Sequence, residues 1–123
     1  RLYRRRVVEA DETATVHSTL FDGGWPGVPH RVLENETVEA WEAAGRPDSD
    51  RPGTDDVVAE TEDGTPVRRY EDSLAVPGMT GDVEELPLYA GQSAGGVEDV
   101  APADEVVAAL ADETDEALER VAP

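Results

Sequence analysis

The sequence has no cysteine, no lysine and no isoleucine, and its aromatic residues are one Phe, two Trp and three Tyr. Without cysteine there is no disulfide, no thiolate zinc site and no Cys nucleophile. No apolar run approaches the ~20 residues of a membrane-spanning helix. Arg4, Arg5 and Arg6 stand near the start without the apolar stretch of a secretory leader, so the expected location is the cytoplasm. Much of the 38% apolar content is Ala and Val, and Ala buries little area. Such a composition suits a segment that borrows core from elsewhere. The first residue is Arg1 rather than Met, which fits a C-terminal piece of a larger enzyme without a complete active site of its own.

The charge is one-sided. There are 29 acidic and 10 basic residues, a net charge of −19. A nucleic-acid binder needs the opposite sign to neutralise phosphates, and an anionic membrane repels this surface. Both partners are therefore discounted. An acidic interaction tail is usually a block of like charges, whereas these acids spread from Glu9 to Glu119. That spread favours a solvated surface for a high-salt cytoplasm, where salt screens the repulsion. The choice of Arg over Lys fits a GC-rich genome and requires no role for Arg.

Along the chain, Leu2 to Ala10 has helical spacing, and Ala14 to Leu20 alternates as a short strand. Phe21 to Pro29 carries three Gly and two Pro and reads as a loop. Asn35 is an N-cap candidate, with Glu36 and Glu39 at the positive end of the helix dipole and Gly45 as the stop. Val57 to Thr61 and Pro66 to Tyr70 flank Asp63-Gly64, a hairpin signal, and Pro66 marks an edge. Asp72 to Gly81 reads as irregular. From Pro102 onward Val106, Val107, Leu110, Ala117, Leu118 and Val121 share one face of a long helix, with Pro102 suited to its first turn. That apolar stripe requires something to pack on.

The chemistry candidates each have a plain alternative. His17 and His30 are the only histidines, and no ligand spacing links them, so no metal site is expected. Carboxylate pairs such as Asp55-Asp56, Glu84-Glu85 and Asp112-Glu113 arise by chance in so acidic a chain, and a solvated surface accounts for them. Gly91 to Gly96 is neither a dinucleotide fingerprint nor a P-loop. Its amides could approach a cofactor, but small residues also serve close packing. Gly91-Gln92-Ser93-Ala94-Gly95 matches Gly-x-Ser-x-Gly literally, without the strand–turn–helix setting of a nucleophile elbow. Asn35-Glu36-Thr37 is a glycosylation sequon by pattern, and a helix cap is the simpler reading. Trp25, among Gly and Pro, either lines a pocket or anchors its loop. No residue is assigned as catalytic.

Several segments together resemble the nitronate monooxygenase (2-nitropropane dioxygenase) family. They are Phe21-Asp22-Gly23-Gly24-Trp25-Pro26, Pro29-His30-Arg31-Val32-Leu33 with Asn35, Thr37-Val38-Glu39-Ala40-Trp41, and Gly81-Asp82-Val83-Glu84. Tyr89-Ala90-Gly91-Gln92-Ser93-Ala94-Gly95 follows, leading through Pro102-Ala103 into Val106-Val107. The resemblance covers nearly the whole chain. It implies an α/β parent, an FMN-binding TIM barrel that oxidises alkyl nitronates with O2, with its active site at the C-terminal ends of the strands. This chain is then an α+β C-terminal fragment with a β-hairpin and a long terminal helix. Residues 1–20 would end a barrel helix and add a short strand. Residues 21–88 would form a substrate-side excursion with a helix at 36–44 and the hairpin at 57–70. Residues 89–123 would close the barrel, with the rest of the barrel as partner. The family's catalytic histidine and flavin-phosphate glycines lie upstream of the matching region, so neither His17 nor His30 takes that role. By resemblance, Gly91, Gln92 and Ser93 approach the flavin, and Trp25, Arg31 and Tyr89 face the substrate. A related flavin barrel such as an enoyl reductase, and a free-standing acidic accessory module, are the alternatives.

A salt-adapted surface has a direct test. The chain should be marginally folded in dilute buffer and gain far-ultraviolet circular dichroism in molar salt. A spectrum unchanged by salt would count against it.

Overall fold

Asn35 organises the centre of the molecule. The computed structural model describes residues 2–122; Arg1 and Pro123, the outer ends of the first and last expected segments, lie outside the described residues. The side-chain oxygen of Asn35 accepts from the Val38 N–H at 3.0 Å and caps helix α2 (Glu36–Ala43). Its amide nitrogen donates to the Glu84 and Leu86 carbonyls at 2.9 and 3.0 Å. A single buried side chain thus starts a helix and holds a segment about 50 residues away.

Around it lies a small α+β fold with three helices and two antiparallel sheets among the described residues. Helix α1 (Leu2–Val8) precedes strands β1 (Thr15–Ser18) and β2 (His30–Leu33), which pair Val16 with Val32 and Ser18 with His30. The other side of β2 takes the extended run after Glu85. The Leu33 N–H donates to the Leu88 carbonyl at 2.8 Å and the Ala90 N–H to the Arg31 carbonyl at 3.2 Å. Val32 bridges Tyr89. The sequence pattern carries no signal for strand β2, because His-Arg-Val-Leu shows no alternation: Val32 and Leu33 are both buried, on opposite faces.

Strands β3 (Val57–Glu60) and β4 (Pro66–Arg68) form the expected hairpin. Its turn closes through Gly64 N–H to Thr61 O and Thr61 N–H to Thr65 O, both at 2.9 Å, with Gly64 at φ +83°. This is the three-residue loop with a left-handed glycine rather than a two-residue turn. Pro66 lies on an edge strand, since the sheet order is β4-β3-β5. The third member, β5 (Thr80–Gly81), falls inside the stretch read as irregular. Two residues carry no periodicity to read.

Two hydrophobic clusters result. One contains Leu20, Phe21, Val32, Val38 and Tyr70; the other contains Val58, Ala59, Val67 and Leu86. A polar link lies between them. Arg69 donates from Nη1 to Glu85 Oε2 at 2.6 Å and to Thr37 Oγ1 at 2.9 Å, and Thr37 also donates to the Glu85 carboxylate. Both charged partners are largely buried. The Nε of Arg69 has no partner among the described residues. The pair costs desolvation, and its loss on one side only would strand the other charge.

Helix α3 (Ala103–Val121) is the length expected, but Pro102 occupies the position just before it, without a side-chain cap, rather than sitting in its first turn. All of α3 is exposed, including Leu110 at 59%. Its stripe has no cover among the described residues. No helix among them is long and apolar enough to cross a membrane.

The Asn35 clamp predicts unequal effects of two substitutions. Asn35→Ala removes a cap and two buried bonds and should cost about 2–3 kcal/mol in urea unfolding. Asn35→Asp keeps the cap but turns a carboxylate oxygen toward two carbonyls, so it should also destabilise. An Asp variant as stable as the parent would show that the contacts to Glu84 and Leu86 carry nothing.

Candidate functional site

Loop 21–29 leaves β1 and returns as β2, and it is pinned at both ends. The His30 ring accepts from the Phe21 N–H at Nε2, 3.2 Å, while its Nδ1 lies 3.0 Å from the Val28 carbonyl. A carbonyl only accepts, so Nδ1 carries the proton and Nε2 the lone pair. Both ring nitrogens are used by backbone, and His30 acts as a brace rather than a free base. His17 is exposed on β1. Within the loop, the Gly23 N–H donates to the Tyr70 carbonyl at 3.1 Å. A Cβ on Gly23 would fall 2.9 Å from the Glu71 Cα, and one on Gly24 would run into the Asp72 carboxylate. The two glycines therefore let the loop lie directly on the chain at 70–72.

Tyr70 makes that approach possible. It is buried at φ +72°, a left-handed conformation that costs a non-glycine residue about 1–3 kcal/mol. Its hydroxyl donates to the Pro52 carbonyl at 2.7 Å, and the Arg51 guanidinium stacks 4.9 Å from its ring centre. Arg51 in turn holds Asp22 and the Leu20 carbonyl. The chain turns at Tyr70 and delivers Asp72 to the loop.

Phe21, Trp25, Val28, His30, Asp72, Leu74 and Tyr89 enclose an open cavity of about 410 Å³. The rings form a chain: Phe21 to His30 at 6.0 Å between centroids, and His30 to Tyr89 at 5.8 Å, edge to face. Trp25 forms the lip, 70% exposed. Burial first, and then the charge of Asp72 and the neighbouring Tyr3, hold the Tyr89 phenol above its usual range. Tyr89 therefore stays protonated, a neutral donor.

The structure brings Trp25 and Tyr89 to one cavity and sends Arg31 elsewhere. Arg31 lies next to His30 on β2, so it projects to the other face; its Nη1 donates to the Thr15 carbonyl and hydroxyl, each at 3.1 Å. Gly91, Gln92 and Ser93 follow Tyr89 at the start of an exposed 3-10 turn (Gln92–Gly96). The close-packing reading of this glycine stretch has one clear instance: a Cβ on Gly95 would fall 2.6 Å from the Glu12 nitrogen. Phe21, Val28, Asp72 and Leu74 complete the cavity without having been singled out from the sequence. Phe21 had a signal, the short glycine loop that brings it back to His30; Asp72 had none.

A second cavity, of about 630 Å³, is lined by Arg6 and by Glu34, Glu36, Glu39, Asp82, Glu84 and Glu85. Arg6 is engaged with Glu84 at 3.0 Å and with the Glu34 carbonyl at 2.6 Å. Among the described residues no group of three or more His, Asp or Glu is arranged to hold a metal ion. The chain matches no protein-family model, no curated protein and no solved structure.

In this second cavity a hydrogen bond with Glu85, and then its charge, raise the Glu36 carboxyl above its ordinary range. A carboxyl raised by folding stabilises the fold while protonated. That contribution is complete below the unfolded value and is lost as pH rises through the folded one. Glu36→Gln removes it. As pH rises through the ordinary carboxyl range and above it, the variant should therefore lose less stability than the parent. Parallel curves of unfolding midpoint against pH would show that Glu36 and Glu85 do not interact.

Proposed function

We propose that this chain is the C-terminal part of an FMN-dependent nitronate monooxygenase, a flavin barrel that oxidises alkyl nitronates with O2. The observation that carries the reading is the meeting of its two most specific resembling segments. Phe21 to Leu33 and Gly81 to Gly95 lie far apart in sequence, yet Val32 bridges Tyr89, and Trp25 and Tyr89 border one cavity. Gly91 to Ser93, all exposed, follow Tyr89 closely in the chain. The bare apolar stripe of α3 supports the same reading, since a helix of a barrel's outer ring packs such a stripe on neighbouring strands and helices.

The residues of this chain do not fit FMN on their own. The aromatic cavity has no arginine on its wall, and its one acidic side chain, Asp72, opposes a phosphate. In this reading the phosphate site and the catalytic histidine belong to the barrel, and this chain supplies a substrate-side wall. Its contribution is position and the exclusion of water. One observation favours the free-standing acidic module instead: two buried clusters and the Asn35 clamp close without α3.

The first reading is tested in a protein that contains both this chain and the barrel. Gln92→Ala should lower flavin retention or kcat/KM by roughly tenfold, the loss of one positioning hydrogen bond. Glu119→Ala, on the solvated side of α3, should leave both unchanged. Equal effects would overturn the assignment. The chain by itself should not retain FMN, and a stoichiometric yellow complex after purification would contradict the division of labour.

A further inference from the structure

The aromatic cavity has a single carboxylate on its wall, Asp72. Asp72 makes no hydrogen bond and no ion pair among the described residues, although it is partly buried. Arg51, which stacks on Tyr70, is committed to Asp22 and the Leu20 carbonyl. Elsewhere, the partly or fully buried carboxylates of Asp22 and Glu85 each have an arginine. Glu71, beside it, is likewise partly buried and has no side-chain partner among the described residues; of the two, Asp72 borders the cavity, with Phe21, Trp25, Leu74 and Tyr89. Gly24 lies against the carboxylate, and the left-handed Tyr70 precedes it by two residues.

We propose that this cavity binds an apolar organic cation, with Asp72 as its counter-ion and the rings of Trp25 and Tyr89 as its aromatic walls. An alkyl- or arylammonium group meets a carboxylate on one side and π-faces on the others, the arrangement that suits quaternary and primary ammonium groups. The volume of about 410 Å³ lies in the range of small-molecule sites, ~300–1,000 Å³. Small carboxylates are disfavoured by the same charge. This inference goes beyond the proposed function and rests on the cavity alone: a nitronate is an anion that Asp72 disfavours as it does a carboxylate, so in that reading only the alkyl tail of the substrate enters here. The binding itself needs no flavin and no turnover.

The test uses the whole chain carrying Trp41→Phe, so that Trp25 is the remaining indole, at a salt concentration where circular dichroism is saturated. Benzyltrimethylammonium should change Trp25 emission saturably. Phenylacetate, of similar size and opposite charge, should not. Asp72→Asn should weaken the ammonium by roughly tenfold, the loss of one charge contact at a partly desolvated site. Trp25→Ala, at an exposed position, should keep the fold; ammonium binding to it, followed by Tyr89 ring resonances in proton NMR, should also weaken. Equal binding of both probes, no binding of the ammonium, or an Asp72→Asn variant that binds it as well as the parent would each overturn the proposal. Loss of flavin-dependent activity in the longer protein with ammonium binding intact would sink the nitronate reading and leave this one standing.

Discussion

Three hydrogen bonds of Asn35 tie the fold together, and the run from Glu84 to Ala90 depends on them. That run lies along β2 through Leu88 and Ala90, while Leu86 enters the second hydrophobic cluster. Asn35 holds its first carbonyls, and Arg69 holds Glu85 from the hairpin side. The two clusters are thus coupled by one extended strip rather than by a shared core. In a chain short of large apolar residues, directional polar bonds do the joining that a larger core would otherwise do.

The parts of the fold that could be read from the sequence were those with local causes. Asn35 caps because its side chain reaches Val38 three residues on, and the turn at Asp63-Gly64 needs a left-handed residue. The helix from Ala103 follows from its period. What escaped reading has distant causes. β2 becomes a strand because Thr15 to Ser18 lie on one side and Leu88 to Ala90 on the other. β5 is two residues that complete a sheet begun at Val57. The same division applies to the candidate site. Trp25 stood out as a ring among glycines, whereas Asp72 reaches the cavity only because Tyr70 adopts φ +72° and Gly23 and Gly24 leave room.

Arg31 shows how adjacency in sequence misleads on a strand. Pro29-His30-Arg31 reads as one patch of chemistry, but successive side chains of a strand face opposite ways. His30 braces the aromatic loop, and Arg31 ties β2 to Thr15. With Arg31 turned away, the cavity keeps a single sign of charge. The resemblance placed both Trp25 and Arg31 near a pocket, and the strand geometry separates the ring from the guanidinium.

Helix α3 touches little, and that gives the chain two thermal characters. A helix without tertiary cover holds together by local propensity and capping, and in isolation even good helix formers are marginal near 12–15 residues. The 19 residues of α3 therefore unwind gradually from the ends, with their amides exchanging through fraying. The Asn35-centred body opens as a unit, and its amides exchange through that rarer event. A melting curve followed by total helix signal would average the two into a broad slope. One followed by the buried Tyr70 would report the cooperative body alone.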